Sequence, residues 1–338
     1  MDFAFTSGQK KKQTGPSKKW TAKQIKEELD KFDEKIKHSK EQEGETEVRD
    51  HTYDKAVFLR DEAQDYPEAE KVFRECYTLS GGASKKMEIL FDLCLMNIEK
   101  FDLDTLKKDI ALCHKHIEEG ADWDKKNKLK IFEGVYCMMI RDFKKAADLF
   151  VHSIATFTCV ELLEYQQFIF YAVVMALVVC DRKTLKKYVI HSSDVLSVIR
   201  DVPHLKQYVE SFYNCEYRAF FEAFAEILET IQQDVYLKDH AGYYAKEMRL
   251  VAYRQYLESF KSVTIENMAR AFGVTQSFLD TELSNFIYNG KISCKIDKVT
   301  GVIESNRPNR KQELLTETMR QGDALLNRVQ KLARALDL

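Results

Sequence analysis

Apolar residues recur along this chain at helical spacing, in three different arrangements. With Thr21 as N-cap, Ile25, Leu29, Phe32 and Ile36 follow at steps of four, three and four. That spacing predicts a helix with one apolar stripe on a Lys/Glu surface. The stripe lasts about two heptads, which suits packing on a neighbouring repeat better than a coiled coil. An acidic turn then recurs at Asp65, Asp102, Asp142 and Asp181, at steps of 37, 40 and 39 residues. Four residues after each stands Ala69, Leu106, Ala146 or Leu185; eight after stands Phe73, Ile110, Phe150 or Val189. Positions four apart share a helix face. Each unit therefore presents a smaller and then a larger apolar residue from a helix that begins after a turn.

Alanine followed four residues later by phenylalanine is part of the tetratricopeptide pattern. A period near 39 holds two helices of roughly 14–16 residues and two turns. One such pair cannot cover its own apolar face, so neighbours must stack, which predicts a right-handed solenoid of helix pairs. After about residue 200 the repeat fades, although 205–237 and 240–261 still read as helices.

Residues 262–305 follow a second arrangement. Thr264 caps a short helix, Ile265 to Phe272, ending at Gly273. Thr275 caps another, Gln276 to Asn289, ending at Gly290. Ile292, Cys294 and Ile296 then alternate with Lys291, Ser293 and Lys295, the period of a half-buried strand. Asp297 to Gly301 forms a turn, and Val302 and Ile303 form the return strand. Two helices about a glycine turn, followed by a hairpin, make a winged helix.

The third arrangement follows a break at Asn306, Arg307 and Pro308. Leu315, Met319, Gly322, Leu326, Val329, Leu332 and Leu336 recur every three to four residues to the terminus. Polar side chains occupy much of the remaining surface. This is an amphipathic helix of about eight turns, suited to insertion among helices of other chains; packing back on its own domain is the alternative.

Composition agrees with a mainly α chain. In 338 residues there are only 12 Gly and 4 Pro, which favours long helices and short turns. The net charge of −2 supplies no global positive field for nucleic acid or anionic lipid. The eight cysteines are scattered without a Cys-x-x-Cys pair, as expected of free thiols in a reducing compartment. The most apolar run, Phe168 to Cys180, is too short for a bilayer span of about 20 residues and reads as a buried helix. Residues 1–19 are polar and lysine-rich and are expected to be disordered.

Chemical motifs are missing. The sequence has no phosphate-binding Gly-x-x-x-x-Gly-Lys-Ser/Thr loop, nucleophile elbow or His-Glu-x-x-His pair. His114 and His116 invite a metal reading, but two helical residues two apart diverge by about 200°. Asn127 also stands where the comparable metalloprotease pattern wants Asp. The winged helix raises a DNA reading. Its second helix has no Lys or Arg but carries Asp280 and Glu282, whereas DNA affinity rests on cations that neutralise phosphates. No catalytic residue, cofactor or metal is expected.

The stretch GADWDKKNKLK at 120–130, Arg141 to Phe150, Thr156 to Thr158 and Cys294 to Val299 resemble one family closely. So do Glu304 to Pro308 and Gly322 to Leu332. The likeness spans roughly residues 46–338 and is to the non-ATPase regulatory subunit 6 family of the 26S proteasome, whose members carry a PCI domain. It implies helical repeats over 20–144, a PCI domain over 145–305 with its winged helix at 262–305, and a bundle helix over 309–338. It also implies a non-catalytic scaffold of the proteasome lid, located in cytoplasm and nucleus. The implied partners are other PCI subunits, the deubiquitinating metalloprotease subunits and the ATPase ring. Carried onto this chain, the PCI contact edge is Ile292, Cys294 and Ile296. The bundle face is Leu315, Met319, Leu326, Val329, Leu332 and Leu336. The signalosome's first subunit shares the Trp123 region and the Thr156 to Thr158 segment, but its tail differs; it is the alternative scaffold, and a winged-helix nucleic-acid binder is the alternative of another class.

Overall fold

The computed structural model describes residues 22–42, 44–120, 122–306 and 310–336. The lysine-rich 1–19 segment, the Thr21 cap and the break at Arg307 and Pro308 lie outside them. The chain divides into two compact units, Met1–Met248 and Arg249–Leu338.

The first unit is built of helix pairs. Its early helices are α1 (Ala22–Gln42), α2 (Glu45–Phe58), α3 (Tyr66–Leu79), α4 (Ala83–Glu99), α5 (Leu103–Glu118), α6 (Trp123–Met139) and α7 (Phe143–Ser153). α2 packs on α3, α4 on α5 and α6 on α7; successive pairs join through α3 on α4 and α5 on α6. The repeat has a local cause. Gln64, Phe101 and Arg141 adopt left-handed backbone, and the acid that follows caps the next helix. The Asp65, Asp102 and Asp142 carboxylates accept the backbone N–H groups of Glu68, Thr105 and Lys145. The closures at the second and third turns match. Asp102 N–H donates to Asn97 O at 3.0 Å, and Asp142 N–H to Cys137 O at 2.9 Å. Ala69, Phe73, Leu106, Ala146 and Phe150 are all fully buried.

The fourth unit departs from this scheme. Asp181 makes no side-chain cap, and α9 is only Arg182–Leu185 before the chain widens into a π turn at Lys186–Ile190. Leu185 and Val189 are nevertheless buried. The expected fading after residue 200 needs correction, because the turn reappears at Cys215. That residue is left-handed, and Glu216 N–H donates to Ser211 O at 2.9 Å. Four and eight residues after Glu216 stand Phe220 and Phe224, both buried. A Glu without a capping bond and a Phe in place of Ala hide this unit from the residue pattern.

The remaining helices of this unit are α8 (Tyr165–Val179), α10 (Ser193–Val198), α11 (Leu205–Asn214), α12 (Tyr217–Gln233) and the start of α13 (Ala241–Ser259). α8 is buried from Gln167 to Leu177. Among the described residues no helix is long and apolar enough to cross a membrane. Two buried polar knots fix its depth. Asp234 accepts the Tyr171 hydroxyl at 2.5 Å and the N–H groups of Tyr236 and Leu237. Tyr244 donates to Val174 O at 3.2 Å and shares a 2.8 Å bond with the Tyr208 hydroxyl. Each buried hydroxyl is thereby satisfied, which removes the cost of leaving it dry and unpaired.

The second unit holds the winged helix: β1 (Ser262–Thr264), α14 (Ile265–Phe272), α15 (Gln276–Tyr288), β2 (Cys294–Asp297) and β3 (Val302–Ser305). The order β1-β3-β2 is antiparallel throughout. Thr264 caps α14 by accepting Asn267 N–H at 3.3 Å, and Gly273 takes the left-handed position that ends it. Phe272, Leu279, Leu283, Ile303 and Tyr253 form the core. Three details differ from expectation. Thr275 precedes α15 without making a side-chain capping bond. The strand begins at Cys294, because Lys291 and Ile292 turn their N–H groups to Phe286 O and close α15 first. Ser262–Thr264 adds a third strand too short to show alternation.

A cap that accepts one otherwise orphaned N–H is worth about 1 kcal/mol. Asp142→Ala should therefore lower the thermal midpoint of the first unit by about 2–4 °C. Asp181→Ala, which removes no cap, should leave it nearly unchanged. Equal shifts in a melting series would contradict this account of the repeat.

Candidate interaction surfaces

α16 (Arg310–Leu336) is the last helix among the described residues. From Lys311 to Leu336 every residue is exposed. Leu326 is 60% exposed, Val329 54% and Leu336 77%; Leu315, Met319 and Leu332 are comparable. The Thr316 and Thr318 hydroxyls donate to carbonyls one turn back, and Arg320 pairs with Glu317 three residues away. These polar contacts are internal to α16, while its apolar stripe faces water.

β2 is an edge strand, bonded on one side to β3. Asn306 N–H donates to Ser293 O at 2.9 Å. Antiparallel alternation then turns the backbone of Lys295 and Asp297 toward β3 and that of Cys294 and Ile296 away from it. The side chains do the opposite of what a sticky edge needs. Ile292 and Cys294 are buried, at 6% and 8% exposure, and Ile296 is half-buried. They belong to the winged-helix core; what this edge offers a partner is main-chain hydrogen bonds.

The acids of α15 are spent internally. Glu282 binds Arg249 at 2.7 Å and accepts the Tyr253 hydroxyl at 2.9 Å; Asp280 pairs with Lys298 at 3.2 Å. Their repulsion of phosphate is smaller than the residue count implies. The face of α15 turned to solvent is Phe278, Thr281, Asn285 and Tyr288, without a cation. The exposure of Tyr288, 91%, was not foreseen from the sequence; its place ten residues after Phe278 on one helical face is the signal that could have shown it.

The histidine pair is engaged elsewhere. His114 Nε2 lies 3.1 Å from Glu133, while His116 bonds the Tyr77 hydroxyl at 2.8 Å and Glu119 at 2.7 Å. Among the described residues, no group of three or more His, Cys, Asp or Glu could hold a metal. Burial pushes the Cys159 thiol up to about 12 and those of Cys137 and Cys180 to about 11. Such thiols stay protonated at neutral pH and are poor nucleophiles.

Repeats that stack, a strand edge open on one side and an uncovered amphipathic helix define a protein-interaction scaffold of helical repeats joined to a winged helix. The family model of the 26S proteasome subunit RPN7 matches residues 18–188, and that of the PCI domain matches 217–307. A third, the RPN7/PSMD6 C-terminal helix, matches 316–335. The 26S proteasome non-ATPase regulatory subunit 6 of Oryza sativa subsp. japonica is 46% identical over 93% of this chain and 80% of its own length. The Arabidopsis thaliana homologue is 46% identical over 92% and 80%. The 26S proteasome regulatory subunit RPN7 of Saccharomyces cerevisiae is 34% identical over 81% and 65%. This chain belongs to the family of 26S proteasome non-ATPase regulatory subunit 6.

Proposed function

We propose that this chain is a non-catalytic scaffold subunit of the lid of the 26S proteasome regulatory particle, serving ubiquitin-dependent protein degradation in cytoplasm and nucleus. The observation that carries this reading is α16, whose large apolar side chains are all left in water. Fully burying six such residues is worth on the order of 9–18 kcal/mol before ordering costs. A free chain forgoes that energy, and an assembled one gains it. α16 enters a helical bundle with other subunits, through Leu315, Met319, Leu326, Val329, Leu332 and Leu336. The β2 edge abuts a neighbouring PCI subunit through the backbone of Cys294 and Ile296, with Ile292 supporting it from the core. The deubiquitinating metalloprotease subunits and the ATPase ring supply the chemistry.

Tagged full-length chain purified from native cells should bring down ATPase and lid subunits together. Recovery of a deneddylase complex alone would transfer the chain to the signalosome. Salt-dependent duplex binding by the full chain would favour the nucleic-acid class.

A further inference from the structure

Along α16, Leu315, Met319, Gly322, Leu326, Val329, Ala333 and Leu336 alternate at steps of four and three, a strict heptad seam. Thr318, Leu325 and Leu332 form a third column, each one residue before a seam position. Two columns suit one partner helix; three make the wider strip of a bundle face, covered by at least two helices. Asp323 and Arg328 border this strip on opposite sides, and neither forms an ion pair with a described residue. The occupants are thus amphipathic helices of other chains, with a cation placed to meet Asp323 and an acid to meet Arg328.

In the middle of the seam stands Gly322. Glycine is, after proline, the worst residue for a helix interior. The usual reasons for keeping it are missing. Its backbone is not among the left-handed glycines, and a Cβ built on it would meet nothing within 4 Å. Among the described residues nothing requires a bare Cα there, which leaves a requirement from outside the chain. We propose that Gly322 is a notch, the point of closest approach in the bundle, where a Leu-, Met- or Phe-sized side chain of a partner helix seats against the α16 backbone.

The inference rests on α16 being a bundle helix, so the test separates the two. Full-length Gly322→Leu, Gly322→Ala and Leu326→Asp are each expressed beside tagged wild type. Incorporation into purified regulatory particle and helicity of the free chain are measured. We expect Leu326→Asp and Gly322→Leu each to reduce incorporation at least tenfold. Gly322→Ala, a better helix former that adds one methyl, should reduce it a few-fold while helicity holds or rises. Incorporation of Gly322→Leu at or above wild type, with Leu326→Asp still excluded, would remove the notch and leave the bundle. Normal incorporation of Leu326→Asp would remove both. The Ala variant also guards against self-association through an added leucine, because a single methyl offers too little surface for it.

Discussion

Replacing Leu326 and Val329 together by Asp should exclude the chain from the regulatory particle while leaving its own folding untouched. In the free chain both side chains are more than half exposed, so new carboxylates there remain hydrated. In a bundle the same positions lose contact with water. Each substitution removes about 1.5–3 kcal/mol of apolar burial and adds the cost of desolvating an unpaired charge. Together they should weaken association by more than about 5 kcal/mol, roughly a thousandfold or greater. Deleting 312–338 should have the same effect. Quantitative co-purification with lid subunits reads the first half of the prediction, and thermal melting with circular dichroism reads the second. A double variant that assembled normally would show that the stripe is covered by nothing, and one that failed to fold would show that the chain covers it itself.

The largest stability effect is expected inside the first unit, at Gly134 on α6. A Cβ there would lie 2.5 Å from Phe150 Cε1 and 2.8 Å from Cδ1. Phe150 is the large residue of the third repeat and is fully buried. Its ring packs edge-on against Phe168 at 5.6 Å, and Phe168 in turn stacks on Phe157 at 4.6 Å, so it has nowhere to retreat. Overfilling such a core costs about 1–3 kcal/mol, against a gain in helix propensity of up to about 1 kcal/mol. Gly134→Ala should therefore destabilise the unit by about 1–2 kcal/mol, and the bulkier, β-branched Gly134→Val by about 3 kcal/mol. At Gly242, where an added Cβ meets nothing within 4 Å, alanine should be neutral or slightly stabilising. Urea unfolding of the three variants checks the order, and a Gly134→Val chain as stable as wild type would mean that α6 and α7 are not packed this closely.

Both predictions depend on how much of this architecture is local. The helix pairs were legible because a helix's apolar face and its Asp cap lie within one or two turns of each other. Asp65, Asp102 and Asp142 marked three turns correctly. Asp181 was equally visible but caps nothing, and Glu216 opens a matching turn with the wrong acid and a bulkier neighbour. The close approach at Gly134 was invisible, since a glycine in a helix announces only a possible neighbour.

At the candidate surfaces the division is sharper. Alternation at 292–296 showed that one face of the strand is apolar, but the pairing β1-β3-β2 decided that this face is the core and that the open side is backbone. Strand register is settled by partners distant in the chain, which no short window contains. The sequence by itself determined that α16 is a helix with one apolar face, because its 3.5-residue period is a property of consecutive residues. Only the tertiary structure decided that the chain's own described residues leave that face bare. An amphipathic pattern states that a surface must be covered; which body covers it depends on shapes brought together by folding.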